Sequence, residues 1–162
     1  MFGVKLICVG RMRERFYIDA FEEYRRRLAP HIRLEITEQR ELLLPDEPSE
    51  SEIETALMRE SKEILSAIPR GAHTVAMAIE GKQLSSEDFA GFIRRQGDVG
   101  TTPIRLCFVV GGSFGLHDSV KASANTLLSL SKMTLPHHLA RVVLIEQIYR
   151  AAMINTGSKY HK

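Results

Sequence analysis

Val4 to Val9 is an apolar run interrupted only by Lys5 and closed by Gly10, a pattern that predicts a buried β-strand. Tyr17, Phe21, Tyr24 and Leu28 then recur at helical spacing before Pro30, which predicts an amphipathic helix. Ile32, Leu34 and Ile36 alternate with Arg33 and Glu35, the period of a half-exposed strand, and the polar stretch holding Pro45 and Pro48 reads as a loop. Ser51 with Glu54 three residues on predicts a capping box for a helix whose apolar face is Ile53, Ala56, Leu57, Ile64, Leu65 and Ile68, ended by Pro69 and Gly71. The alternation continues with a strand from Thr74 to Ile79, a helix from about Ser86 to Gln96 and a strand from Ile104 to Val110. A short helix near Asp118 to Ala124, a strand from Leu127 to Leu130 and a long helix from Leu139 to about Ile154 complete the pattern. In that last helix Leu139, Val142, Val143 and Tyr149 lie near one face, as in a core or a subunit interface.

Strands alternating with helices predict an α/β fold with a mainly parallel sheet covered by helices on both faces. The length of 162 residues suits a single domain of 1–162, and no internal repeat or long linker divides it. In such sheets the ligand lies beyond the carboxyl ends of the strands, so the loops after Ile79, Val110 and Leu130 are where chemistry is expected.

Composition narrows the class. With 44% apolar and 26% charged residues the chain is neither disordered nor of low complexity. Cys8 and Cys107 sit inside apolar runs, which favours buried thiols over a disulfide framework or a zinc site and fits a reducing cytoplasm. No apolar run approaches the roughly 18 residues that span a bilayer, and the first ten residues do not make a signal peptide, so no membrane is expected. Net charge is +2, but residues 41–60 carry seven acids against one base, Arg59, while residues 119–162 carry six bases against one acid, Glu146. That asymmetry points to an anionic substrate focused on the C-terminal region, or to an ordinary solvated helix face.

The loop after Val110 is Gly111-Gly112-Ser113-Phe114-Gly115. Its glycines allow a sharp turn and let a ligand reach backbone N–H groups. It is neither a dinucleotide fingerprint nor a P-loop, but it does match G-x-S-x-G, so a serine hydrolase with Ser113 as nucleophile is one alternative. Leu130 to His137 supplies small, apolar and hydroxyl groups suited to a neutral heterocycle. Glu146 and Arg150 form an i, i+4 pair. The end of the chain, Lys159-Tyr160-His161-Lys162, is either a frayed terminus or an acid-base set beside phosphate-binding charge. No metal-binding spacing is present in the sequence, so no metal is expected.

Taken together, Phe108 to Leu116, Leu128 to His137, Arg141 to Glu146, Tyr149-Arg150 and the terminal Tyr160-His161-Lys162 resemble the RlmH family of SPOUT methyltransferases. Val9-Gly10-Arg11, Glu23 to Leu28 and Glu80-Gly81-Lys82 add weaker matches, and Ala78 departs from the acid that many members carry there. The resemblance implies an α/β fold with a C-terminal trefoil knot, the knot and cofactor loops falling in about 75–162. It implies S-adenosylmethionine held by Met77 and Ala78, by Gly111 and Gly112, and by Leu130, Ser131, Lys132, Met133, Thr134, Leu135 and Pro136. It further implies a homodimer with active sites at the subunit interface, which methylates N3 of a pseudouridine in 23S ribosomal RNA of the large subunit, on assembled ribosomes. Within that reading His161 is the candidate base, Tyr160 stacks on or hydrogen-bonds the nucleobase, and Arg150 neutralises charge developing on it. A non-catalytic ribosome-binding factor is the remaining alternative.

Overall fold

The computed structural model describes residues 2–98 and 102–161. Five strands, β1 (Gly3–Val9), β2 (Arg33–Gln39), β3 (His73–Gln83), β4 (Ile104–Val110) and β5 (Thr126–Ser129), form one sheet in the order β2-β1-β4-β3-β5. Every pairing is parallel. The helices are α1 (Arg15–Leu28), α2 (Glu50–Ala67), α3 (Ser86–Asp98), α4 (Asp118–Ser123) and α5 (His137–Asn155).

The apolar runs of β1 and β4 follow from their central position. Val4, Leu6, Cys8, Leu106, Phe108 and Val110 join one cluster with Phe21 of α1, Ile93 of α3 and Ile148 of α5, while Ile7, Val9, Cys107 and Val109 join another with Ile64 of α2 and Val120 of α4. Successive residues thus alternate between two covered faces, which leaves no position for a polar side chain. Each such aliphatic side chain contributes about 1.5–3 kcal/mol on burial. Lys5 is tolerated because its ammonium donates to the Ala67 carbonyl at 2.9 Å. β2 lies at an edge, which accounts for its half-exposed alternation.

Three local expectations need correction. The capping box of α2 is Ser49 with Glu52, not Ser51 with Glu54: Ser49 Oγ accepts from Glu52 N at 3.2 Å, and Glu52 Oε2 accepts from Ser49 N at 2.8 Å. Such a cap is worth about 1 kcal/mol, and the earlier start places Glu50 and Glu52 in the first turn, where the helix dipole favours acids. Glu54 instead pairs with His117 Nε2 at 2.9 Å. Leu65, expected on the buried face of α2, is exposed, and Ser61 faces inward with its hydroxyl satisfied by the Met58 carbonyl at 2.7 Å. In α5 the buried positions are Arg141, Leu144, Ile145, Ile148, Ala151, Ala152 and Met153, whereas Leu139, Val142, Val143 and Tyr149 are only half-buried. A helix this apolar all round gives periodicity no single face to select.

Candidate active site

The ladder between β3 and β5 breaks between Met77 and Lys82, so Ala78 and Ile79 leave it. They line a cleft of about 160 Å³ at this break in β3 and beyond the carboxyl ends of β4 and β5. Of the residues expected from sequence, Met77, Ala78, Gly111, Gly112, Leu130, Ser131, Met133, Thr134 and Leu135 line this cleft. Lys132 and Pro136 do not: Lys132 is exposed and Pro136 is the N-cap of α5. The loop after β5 is braced internally, since Ser129 Oγ donates to the Ser131 carbonyl at 2.9 Å and Met133 N donates to Ser131 Oγ at 3.0 Å.

Gly112 shows why this turn excludes side chains. A Cβ on it would lie 2.5 Å from Glu41 Oε1 and 3.3 Å from Val9 Cγ1. Glu41 also accepts from Ser113 N at 2.8 Å, so the loop after β2 clamps the glycine turn. In the sequence Glu41 is visible only as one of the acids of residues 41–60. His137 is another cleft residue that the cofactor-site reading omitted, although an imidazole directly after the Leu130–Pro136 loop was the available signal. Its Nε2 is buried with no partner among the described residues. Burial first, and the adjacent His138 next, push its pKa below the ordinary imidazole value, so the ring is held neutral.

The structure gathers the three expected catalytic residues. Gly157, at φ +70°, ends α5 in a Schellman turn in which Ser158 N donates to the Met153 carbonyl at 2.9 Å, folding the tail back along the helix. Tyr160 then packs on Tyr149 with ring centroids 4.9 Å apart, and the Arg150 guanidinium lies 4.9 Å from the Tyr160 ring centroid. Arg150 Nη2 donates to Glu146 Oε1 at 2.6 Å, and the Tyr160 hydroxyl donates to the same oxygen at 3.2 Å. His161 Nδ1 faces Arg150 Nη1 at 3.4 Å, and its Nε2 bonds Glu87 Oε1 at 2.8 Å. Because the guanidinium is only a donor, this arrangement places the ring proton on Nε2 and leaves the Nδ1 lone pair accepting from Arg150. Burial pushes the Tyr160 phenol up to about 12, with the bond to Glu146 adding to it. The tail is therefore docked through residue 161; Lys162 lies outside the described residues.

This cluster does not reach the cleft of its own chain. Arg150 follows His137 by 13 residues of one α-helix, which at 1.5 Å per residue is roughly 20 Å. None of Arg150, Tyr160 and His161 lines the cleft.

Half of the six bases behind the expected C-terminal surplus of positive charge, Lys121, Arg141 and Arg150, are paired within the chain, whereas Lys132 and Lys159 are exposed. Arg141 is 1% exposed and donates to the carbonyls of Val9 and Gly10 and to Glu38. Lys121 pairs with Glu80 at 2.7 Å and Arg150 with Glu146. Ser113 has an exposed side chain and no hydrogen bond to an imidazole among the described residues, so the constellation of a serine hydrolase is not assembled. No group of three or more His, Cys, Asp or Glu side chains among the described residues forms a metal cluster. No helix among them is long and apolar enough to cross a membrane.

A family model described as "Predicted SPOUT methyltransferase" matches residues 2–161. The ribosomal RNA large subunit methyltransferase H of Streptococcus uberis is 43% identical over 159 residues, covering 98% of this chain and 99% of that protein. The protein of the same name from Clostridium beijerinckii is 44% identical over 160 residues, covering 99% of each. Among solved structures, a probable methyltransferase from Bordetella pertussis Tohama I superposes with a TM-score of 0.55 at 15% identity, over 92% of this chain and 93% of that one. A probable methylase family protein from Haemophilus influenzae Rd KW20 gives 0.53 at 9% identity, over 98% of this chain and 70% of that one. These two likenesses concern the fold alone.

The parallel sheet, the cleft at its carboxyl edge and the sequence matches define a methyltransferase. The chain belongs to the SPOUT methyltransferase family, whose members use S-adenosylmethionine. The cleft suits that group: apolar walls from Met77, Leu128, Leu130 and Leu135 face a glycine turn without side chains, where backbone groups are open to a ligand.

Proposed function

We propose that residues 1–162 form one SPOUT domain, knotted within about 75–162, that works as a homodimer in the cytoplasm. In this reading it methylates N3 of a pseudouridine in 23S ribosomal RNA of the large subunit, on assembled ribosomes. The observation that carries the RNA substrate is the near full-length identity to proteins named for large-subunit ribosomal RNA methylation.

The separation of cleft and tail along α5 supports the dimer. Two copies of α5 packed antiparallel about a two-fold axis would bring the His137 end of one against the Arg150 end of the other. The half-buried Leu139, Val142, Val143 and Tyr149 give that contact an apolar surface. One subunit then holds the cofactor between Met77 and Ala78, Gly111 and Gly112, and the Leu130–Pro136 loop, and its partner supplies the tail.

S-adenosylmethionine, when bound, supplies an activated methyl group on a sulfonium, and the remaining work is positioning and proton removal. His161 accepts the N3 proton at Nδ1 once the Arg150 N–H that faces it turns to the imide oxygens, while Glu87 holds the ring through Nε2–H and stabilises the imidazolium that forms. Tyr160 stays protonated throughout the physiological range and donates or stacks. Arg150, fixed by Glu146, sets a positive charge beside the imide oxygens.

Mass spectrometry of 23S ribosomal RNA from cells lacking this protein tests the reading. One methyl group missing from one pseudouridine, restored in vitro faster on assembled ribosomes than on naked RNA, is the expected result. An unchanged modification profile would overturn it, and equal rates on the two substrates would remove the assembled ribosome from it.

A further inference from the structure

A second cavity, about 360 Å³, opens beside the carboxyl ends of β1 and β2. Its floor is apolar, made by Met12, Ile18, Phe21 and Ile36. Arg141 forms a wall of it, buried to 1% exposure, and its Nε–H has no acceptor among the described residues although both Nη atoms are occupied. At the rim Arg25 is paired with Glu22 at 3.0 Å and Glu38 is bound to Arg141, whereas the exposed Arg11 forms no ion pair among the described residues. The uncompensated charge of the cavity is therefore the single positive one of Arg11.

The cavity lies next to the methyltransferase cleft. A Cβ on Gly10 would stand 3.8 Å from Arg141 Nη2 and 2.9 Å from Glu41 Oε2, and the other oxygen of Glu41 clamps the Gly112 turn. One thin wall separates the two openings on the same edge of the sheet. A ligand that satisfies both the apolar floor and the charge of Arg11 has a flat body and a phosphate.

We propose that this cavity binds a nucleotide of the RNA strand flanking the methylated one, with its base on Ile18, Phe21 and Ile36 and its phosphate on Arg11. The inference rests on the reading that the substrate is RNA. It assigns β1, β2 and α1, which the cofactor cleft leaves without a task, to strand recognition.

The test uses the full-length chain saturated with S-adenosylhomocysteine, titrated with a short single-stranded oligoribonucleotide and with uridine 5′-monophosphate, and then assayed on ribosomes. Arg11→Glu is expected to weaken oligonucleotide binding about tenfold or more. It also lowers the slope of log K against log salt by at least about 0.7, the loss of one single-strand phosphate contact. Ile18→Trp fills the floor and weakens binding at an unchanged salt slope. Both variants keep the melting temperature and the affinity for S-adenosylhomocysteine, and on ribosomes they raise KM with little change in kcat. Unchanged affinity and slope in Arg11→Glu would overturn the proposal, as would a mononucleotide that competes fully while ribosomal KM stays the same, which marks a site for free nucleotides. If the wild-type chain methylates no ribosomal RNA yet its oligonucleotide binding still depends on Arg11, the substrate reading fails while the strand site stands.

Discussion

Gly112 is constrained from outside the cleft: a side chain there meets Glu41 and Val9 before it meets any ligand. Gly112→Val is expected to push Glu41 off Ser113 N, open the turn and weaken S-adenosylhomocysteine binding by about tenfold or more, ~1.4 kcal/mol. Calorimetry checks this, and unchanged affinity would mean that the turn is not part of the cofactor site. His137 makes a pH-dependent contribution. Its folded pKa lies below the ordinary imidazole value of about 6.5, so below that pH the unfolded chain binds more protons and stability falls as pH falls. Between pH 7 and pH 5 the melting temperature of the wild type should therefore drop more steeply than that of His137→Asn. Parallel curves would take His137 out of the acid response.

The C-terminal tail behaves as an extension of α5, fixed by the Schellman turn and by the edge-to-face contact of Tyr160 with Tyr149. Deleting residues 158–162 should remove methyl transfer while leaving S-adenosylhomocysteine affinity and the dimer nearly unchanged, at a stability cost of about 0.5–1.5 kcal/mol for the lost aromatic pair. Within the tail, His161→Ala should cost about 10²-fold in rate, far more than Lys162→Ala, and rising pH should partly restore it by ionising the imide directly. Normal turnover of the truncated chain would send the search for a base to His137 or His138. The elements themselves were legible because β1 and β4 are buried on both faces and α1 on one, so period and burial agree. What escaped the sequence depends on contacts between distant segments. Glu41 meets Gly112 across 71 positions, Arg141 reaches Val9 across 132, and the choice between Ser49 and Ser51 as cap turns on where the chain leaves Pro48. Local patterns carry no record of such pairings.

At the scale of the whole molecule, a site divided between subunits makes a distinctive prediction about mixtures. Gly112→Val chains keep an intact tail and His161→Ala chains keep an intact cleft, and at a cofactor concentration too low to fill the weakened cleft both homodimers should turn over only slowly. Equilibrated together in equal amounts, half of the dimers are mixed and each has one complete site, so activity should return to about a quarter of the wild-type value. No recovery would confine each site to one chain. The central strands carry a further consequence. Cys8 and Cys107 are buried, and desolvation pushes their thiols up to about 11 and about 12, so neither is an effective nucleophile while the sheet is intact. Alkylation of either therefore waits for the sheet itself to part, and the rate of label uptake is a clock for global opening that needs no added probe. Saturating the cleft with S-adenosylhomocysteine at a hundred times its Kd should slow that clock by about two orders of magnitude. An oligonucleotide held at the β1–β2 edge should slow it again by its own independent factor.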